Sequence, residues 1–426
     1  MHMIGTFFQK LSLVVKDTTL RNRILFMLGA LVLFRVLATI PIPGVDVIRL
    51  EEFFANNQYL GLLNIFSGGG LSNLSIVMLG VGPFITASII MQLLTVLSPK
   101  IKAIYQEEGE AGRIKFTQWS RYLTVPLAFM QGFAFLTLLQ QNGIVPPLEF
   151  VAMMTNVVVI AAGSLLLMWI GELITEFGIG NGISLIIFAG IVSHLPSGIS
   201  QLAFTFDVSQ IPVYLGFLVA VIVVVAGVVF ITEAERPIPV TYARQTRGSK
   251  QGGGISTYLP LRVNQSGVIP IIFALSILLF PQVISAFFVT SSIPYVAAVA
   301  NAVTNGLANQ LIYGILYFIM VFFFTYFYTA MTFDPNRIAD NLQKSGAFIP
   351  GVRPGVHTSE HVADILTRIT LVGALFLGII AVLPIIMQGI TGITTLTIGG
   401  TALLIAVSVV LDIVKRVEAQ ISIREY

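Results

Sequence analysis

Apolar stretches long enough to cross a bilayer alternate along this chain with short polar ones that hold nearly all of its charge. A helix needs about 20 residues to cross a ~30 Å hydrocarbon layer. Ten runs approach or reach that length: 24–40, 76–97, 122–139, 151–171, 183–204, 212–232, 267–289, 311–331, 369–387 and 396–414. The pattern predicts ten transmembrane helices and an all-α polytopic membrane protein. Composition agrees. Of 426 residues, 56% are hydrophobic and 10% charged, with mean hydropathy +0.91, whereas soluble domains run at roughly 45–50% apolar and ~25% charged.

The polar stretches then set the orientation, because short cytoplasmic loops retain Lys and Arg. With an even number of spans, both termini share a side with loops 98–121, 172–182, 233–266 and 332–368. All of the 23 basic residues except Arg35 and Arg49 fall on that side. Both termini are therefore expected in the cytoplasm. The loops on the other side are short or weakly acidic (Asp46, Glu51, Glu52, Glu149, Asp207). The basic N-terminus has no small-residue cleavage site, so no removable signal peptide is expected. The formal net charge of +3 is too small to argue for nucleic acid.

Several chemistries are excluded. The chain has no cysteine, and its four histidines (His2, His194, His357, His361) lie at the N-terminus or in candidate loops and form no H-E-x-x-H pair. Gly68-Gly69-Gly70 and Gly252-Gly253-Gly254 lack the Lys-Ser/Thr of a phosphate loop. No direct nucleotide binding and no cofactor are expected, and no nucleophile–base constellation argues for an enzyme. Ion-coupled transport usually places ionisable groups in mid-membrane. Here Arg35, Glu172, Glu176 and Asp412 read as interfacial charges near helix ends. A small-molecule transporter built on broken helices would want a polar midplane site, which the spans lack. A purely structural scaffold would have no use for long basic loops.

Some membrane segments are irregular. The stretch 61–75 is apolar at helical spacing but short and broken by glycine. It reads equally as a re-entrant half-helix shielded by protein or water, or as a loop on the outer surface. Polar groups also stand in or beside the spans: Thr86 and Gln92, Gln131, and Asn264 with Gln265. Singly, each reads as interhelical glue worth ~0.6–2 kcal/mol; together they would suit a movable seam.

Long motifs carry a family resemblance: Ile42-Pro-Gly-Val-Asp46; Phe66-Ser-Gly-Gly-Gly-Leu-Ser72 running on to Pro83 and Ala87-Ser-Ile-Ile-Met-Gln-Leu-Leu94; and Ile174-Thr-Glu-Phe-Gly-Ile-Gly-Asn-Gly-Ile-Ser184. Further on stand Leu259-Pro-Leu-Arg-Val-Asn264, Gly267-Val-Ile-Pro270, the run Ala339 to Gly355, and Gly399-Gly-Thr401. In this order, over essentially the whole chain, they resemble the SecY family, the channel-forming subunits of the bacterial protein translocon.

The resemblance implies two pseudo-symmetric five-helix halves, 1–194 and 212–426, hinged through 195–211 around an hourglass pore. Secretory polypeptides would cross the centre, and signal sequences or membrane helices would leave sideways between spans two and seven. It places an apolar pore ring on Val81, Ile85, Ile183, Ile187, Ile272 and Ile405; the i,i+4 spacing of 81/85 and 183/187 gives each pair one helix face. It places a plug at about 61–74, with Leu62, Leu63, Ile65, Phe66, Ser67, Gly68, Gly69, Gly70 and Leu71. Thr86, Gln92, Gln131 and Asn264 match a polar gate cluster. Arg353, with Arg244, Arg247 and Lys250 on the other docking loop, matches positions that engage a motor or ribosome. Implied partners are SecE and SecG, the SecA ATPase, the ribosome, unfolded preproteins and membrane lipid, in a bacterial plasma membrane. Two departures stand out: Val81 occupies a ring position where isoleucine is usual, and Gly82 precedes Pro83 where a bulkier residue is common.

Overall fold

A computed structural model describes residues 17–43, 70–71, 73–106, 108–141, 143, 145–204, 211–242, 246–247, 250–251, 256–288, 293–391 and 398–425. The first half of the chain holds α1 (Thr18–Leu37), α2 (Gly82–Leu97), α3 (Pro99–Gln106), α4 (Gly109–Gln141), α5 (Phe150–Phe177) and α6 (Gly182–Phe204). After α7 (Ile211–Glu233) come β1 (Glu235–Tyr242), the short β2 (Thr246–Arg247) and β3 (Lys250–Gln251), and β4 (Ser256–Arg262). The remainder is α8 (Ile269–Phe288), α9 (Pro294–Ala308), α10 (Gln310–Thr332), α11 (Pro335–Lys344), β5 (Ala347–Phe348), α12 (Val356–Thr391) and α13 (Ile398–Glu425).

Each of the ten predicted spans falls on a helix. By length and apolarity alone, five helices among the described residues can cross a membrane, or six if the bent α2–α3 pair counts as one span. Local chemistry explains part of the shortfall: α1 carries Arg21, Arg23 and Arg35 within 20 residues. Span two starts later than expected, because residues 76–81 form turns and the helix begins at Gly82, with Pro83 in its first turn. Proline there needs no N–H partner. At its other end α2 bends by 115° at Ser98 into α3.

The helices pack in two neighbourhoods. In the first, α1 lies on α5 and α6, α2 on α4 and α5, and α5 on α4 and α6. In the second, α10 lies on α8 and α12, and α13 on α12 and α7. They meet where α8 touches α2 and α4 and where α13 touches α6. At the predicted cytoplasmic ends, ion pairs tie neighbours together: Arg121 on α4 with Glu172 on α5 (2.6 Å), and Lys415 on α13 with Glu233 on α7 (2.9 Å).

The all-α expectation needs an addition among the described residues, a small sheet in the order β4-β1-β5 and a separate β2–β3 hairpin. β1 and β4 run antiparallel from Glu235↔Arg262 to Thr241↔Ser256, and β5 joins the far edge of β1 at Thr241↔Phe348. Ile238 and Val240 on β1 and Leu261 on β4 point into a cluster with Ala347, Ile349 and the first turns of α12 (Val362, Leu366, Ile369). The described parts of the two long loops 233–266 and 332–368 thus pack together around a core of their own.

Candidate functional site

The six predicted ring residues come from four places in the chain and belong to or border one broad apolar cluster. Val81, Ile85, Ile187, Ile272 and Ile405 are all buried there, and Ile183 packs against it partly buried. Lipid is as apolar as these side chains, so close packing rather than exclusion of water must hold them together.

Local structure explains how each one is aimed. Val81 precedes α2 at the end of the turn 76–81, just after Gly80, whose φ of 57° suits glycine. The buried Ser164 hydroxyl on α5 donates to the Gly80 carbonyl oxygen at 2.8 Å. Beside it, a Cβ on Gly163 would land on the Ile76 carbonyl, so only glycine lets this turn lie against α5. Ile183 and Ile187 ride on the start of α6. Asn181 Oδ1 caps that helix, accepting from the Ile183 N–H (3.0 Å) and the Ser184 N–H (3.3 Å). The Gly182 N–H donates to Thr175 Oγ1 at 2.9 Å, and a Cβ on Gly182 would strike the Gly171 carbonyl. The motif 174–184 is therefore a close-packed corner between α5 and α6, and its glycines and Asn181 fix the direction of the ring residues that follow.

The expected polar cluster is only partly assembled. Gln131 Nε2 on α4 donates to Thr86 Oγ1 on α2 over a long 3.4 Å, and the Thr86 hydroxyl donates to the Gly82 carbonyl (3.0 Å). Gln92 Nε2 instead donates to Ser88 Oγ one turn back (3.3 Å), leaving its Oε1 buried without a partner among the described residues. Asn264 bonds locally: its Nδ2 donates to the Gly267 carbonyl (3.2 Å), and its Oδ1 accepts from Ser266 Oγ (3.3 Å). The one interhelical bond of the set joins α2 to α4 and does not cross to α8. Ile85 and Ile89 of α2 share the apolar cluster with Ile271, Ile272, Leu275 and Leu278 of α8.

Of the predicted plug, Leu62, Leu63, Ile65, Phe66, Ser67, Gly68 and Gly69 lie outside the described residues. Gly70 accepts from both the N–H and the hydroxyl of Ser75 (2.9 Å each). Leu71 is buried in a second cluster with Ile42, Leu74 and Met78 and with α4 and α5 side chains such as Leu136 and Ile160. The end of the plug stretch is thus fastened beside the first group of helices. Arg35, expected to reach an interface, has its Nη1 buried without a hydrogen-bond partner among the described residues. Arg353 is exposed, and its carbonyl accepts from Thr358 Oγ1 at 2.9 Å. Arg247 and Lys250 pair through their backbones in the β2–β3 hairpin; Arg244 lies outside the described residues.

Gly163 and Ser164 are the site residues that sequence reasoning missed. Their signal was a Gly-Ser pair inside the long aliphatic run of α5, where small residues mark close helix packing.

With this geometry in view, comparison with known proteins is informative. The sequence model of the SecY family matches residues 75–414. The chain is 41% identical to a protein translocase subunit SecY of Streptomyces scabiei, over 96% of this chain and 97% of that one. It is 40% identical to the Mycobacterium bovis protein of the same name, over 97% of both chains. Among solved structures, one described as a protein conducting channel superposes with TM-score 0.66 at 20% identity, over 95% of this chain and 93% of that one. Sec61 from the canine ribosome-channel complex of the endoplasmic reticulum gives 0.64 at 19%, with the same coverage. Relatives at this identity over nearly the full length leave no ambiguity: the chain belongs to the SecY family of protein translocase subunits.

Proposed function

We propose that Val81, Ile85, Ile183, Ile187, Ile272 and Ile405 form the constriction of a protein-conducting channel, with α2 and α8 as the edges of its lateral exit. The observation that supports this reading is that six aliphatic side chains, distant in sequence, belong to or border one apolar cluster that spans both groups of helices. Branched aliphatic side chains fit around an extended polypeptide of any sequence, and an apolar neck without a chain in it dewets and blocks ions. The halves 1–194 and 212–426 would move about the connection 195–211.

The seam itself is apolar. A hydrophobic signal helix inserting between α2 and α8 replaces one set of dispersion contacts by another, and no polar bond need break across the gap. The Thr86–Gln131 bond then steadies one edge instead of latching both. Gly70 and Leu71 belong to the root of a plug whose body, 61–69, would stop the pore.

The folded cytoplasmic unit is the surface for a driving partner, the SecA ATPase or the ribosome. Arg353 and the β2–β3 hairpin with Arg247 and Lys250, near Arg244, are suited to acidic protein or RNA phosphates. SecE and SecG would complete the complex in a bacterial plasma membrane, with both termini in the cytoplasm. The chain does no catalysis; the partner supplies the energy.

Photocrosslinking from Ile187 during translocation of a stalled secretory precursor tests the reading. A crosslink to the precursor that requires a functional signal sequence is expected. Its absence, with efficient crosslinking from lipid-facing control positions, overturns the constriction.

A further inference from the structure

α9 lies between α8 and α10 on the side opposite the basic loops, and its sequence, Pro-Tyr-Val-Ala-Ala-Val-Ala-Asn-Ala-Val-Thr-Asn-Gly-Leu-Ala, contains no charge. It is not free to extend into solvent. The Thr304 and Ser285 hydroxyls are 3.0 Å apart, which fastens α9 to the last turn of α8. Asn309 alone separates it from α10, with ψ at 116° and its side chain accepting from the Leu311 and Ile312 N–H groups. The chain therefore turns sharply at Asn309, and α9 packs on both neighbours at the level where those spans end.

At 100° per residue, its positions sort into three sectors. Ala300 is buried and Leu307 packs against the main core. Asn301 and Asn305 lie roughly 110–150° round from that sector on one side and are exposed. Tyr295, Val299 and Ala302 fall within an arc of roughly 60°, about 90–150° round on the other side. Tyr295 is 78% and Val299 48% exposed, and the preceding Ile293 is 60% exposed. This apolar flank continues the exposed apolar surface at the ends of the adjoining spans, Phe288 on α8 and Leu311 and Ile315 on α10.

We propose that α9 is an interfacial helix, with Tyr295 and Val299 set into the headgroup–acyl boundary of the outer leaflet and Asn301 and Asn305 facing water. Tyrosine suits that depth, since its ring is apolar and its hydroxyl reaches the hydrated layer. The occupant of the flank is lipid because the flank joins the exposed apolar ends of α8 and α10, and because Asn309 and the Ser285–Thr304 pair hold the helix where those spans end.

The absence of cysteine makes a direct test possible. Single cysteines at Tyr295, Val299, Asn301 and Asn305 would carry nitroxide labels in the full chain, reconstituted into phosphatidylcholine–phosphatidylglycerol vesicles. Collision with oxygen, which concentrates in lipid, is expected to exceed collision with a water-soluble nickel chelate at 295 and 299, and the order is expected to reverse at 301 and 305. Nickel dominance at all four positions would place α9 in water and overturn the proposal. Shielding of 295 and 299 from both reagents would mean a protein partner covers the flank and would overturn it equally. As a check with a smaller perturbation, Tyr295→Trp in a Trp119→Phe/Trp169→Phe background is expected to be quenched by lipids brominated near the top of the acyl chain. Quenching by aqueous iodide alone would contradict the proposal.

Discussion

α5 and α7 are both long, strongly apolar helices, yet 56% of the most apolar stretch of α5 is buried, against 12% for α7. The difference lies in where the small residues stand. On α5, Gly163 receives the Ile76 backbone and Gly171 receives the start of α6, while Ser164 and Asn156 are polar and buried. α7 is a run of valines and other aliphatics with two glycines: an added Cβ on Gly216 would meet nothing described within 4 Å, and one on Gly227 would meet only the Phe376 ring, at 3.3 Å. Hydropathy marks both as spans. Only the spacing of small and polar residues shows that one organises the site and the other presents its side chains to the surroundings.

Four substitutions test this contrast. The largest effect is expected for Gly163→Val, whose side chain would displace the turn that carries Val81. Destabilisation of about 3 kcal/mol or more is expected for such a core overlap, seen as early loss of the monodisperse peak when the detergent-solubilised protein is heated before size-exclusion chromatography. Ser164→Ala comes next. Removing its bond to Gly80 should cost about 0.6 kcal/mol, and not more than about 1.7, the typical and largest values for interhelical hydrogen bonds in membranes, and should raise ion leak across planar bilayers. Wild-type leak from that variant would show that the bond does not steady the ring. Gln131→Leu should have less effect, because its bond is long and stays on one side of the seam; transport of precursors with weakened signal sequences should change little. A strong relaxation of signal dependence would restore the polar latch. Smallest is Gly216→Val on α7, expected to stay within about 0.5 kcal/mol of wild type in the same heating assay. A large loss there would mean that α7 is as tightly packed as α5.

Much of this was legible in the sequence, since backbone hydrogen bonding in lipid forces apolar runs into helices. All ten runs fall on helices, and the six residues proposed for the ring belong to or border one broad apolar cluster. What escaped depends on contacts between distant segments. Residues 76–81 are apolar enough to read as helix, but their path is set by Gly80 and by Ser164, more than 80 positions away. The strands β1 and β4 were hidden because Pro237, Pro239 and Pro260 argue against a sheet, although Ile238, Val240 and Leu261 alternate inward. Asn264 reads as a seam residue by position, yet the nearby Gly267 and Ser266 satisfy its side chain.

The ring proposed above is purely aliphatic, and this has an electrical consequence. A membrane potential does about 2.3 kcal/mol of work per unit charge per 100 mV, but it can act only where charge is present. Val81, Ile85, Ile183, Ile187, Ile272 and Ile405 carry none. In a channel closed by such a ring, voltage would not pull directly on the closing side chains; it would act on the charged residues of the polypeptide passing between them. An energised membrane would then bias the direction of the cargo without forcing open an idle neck.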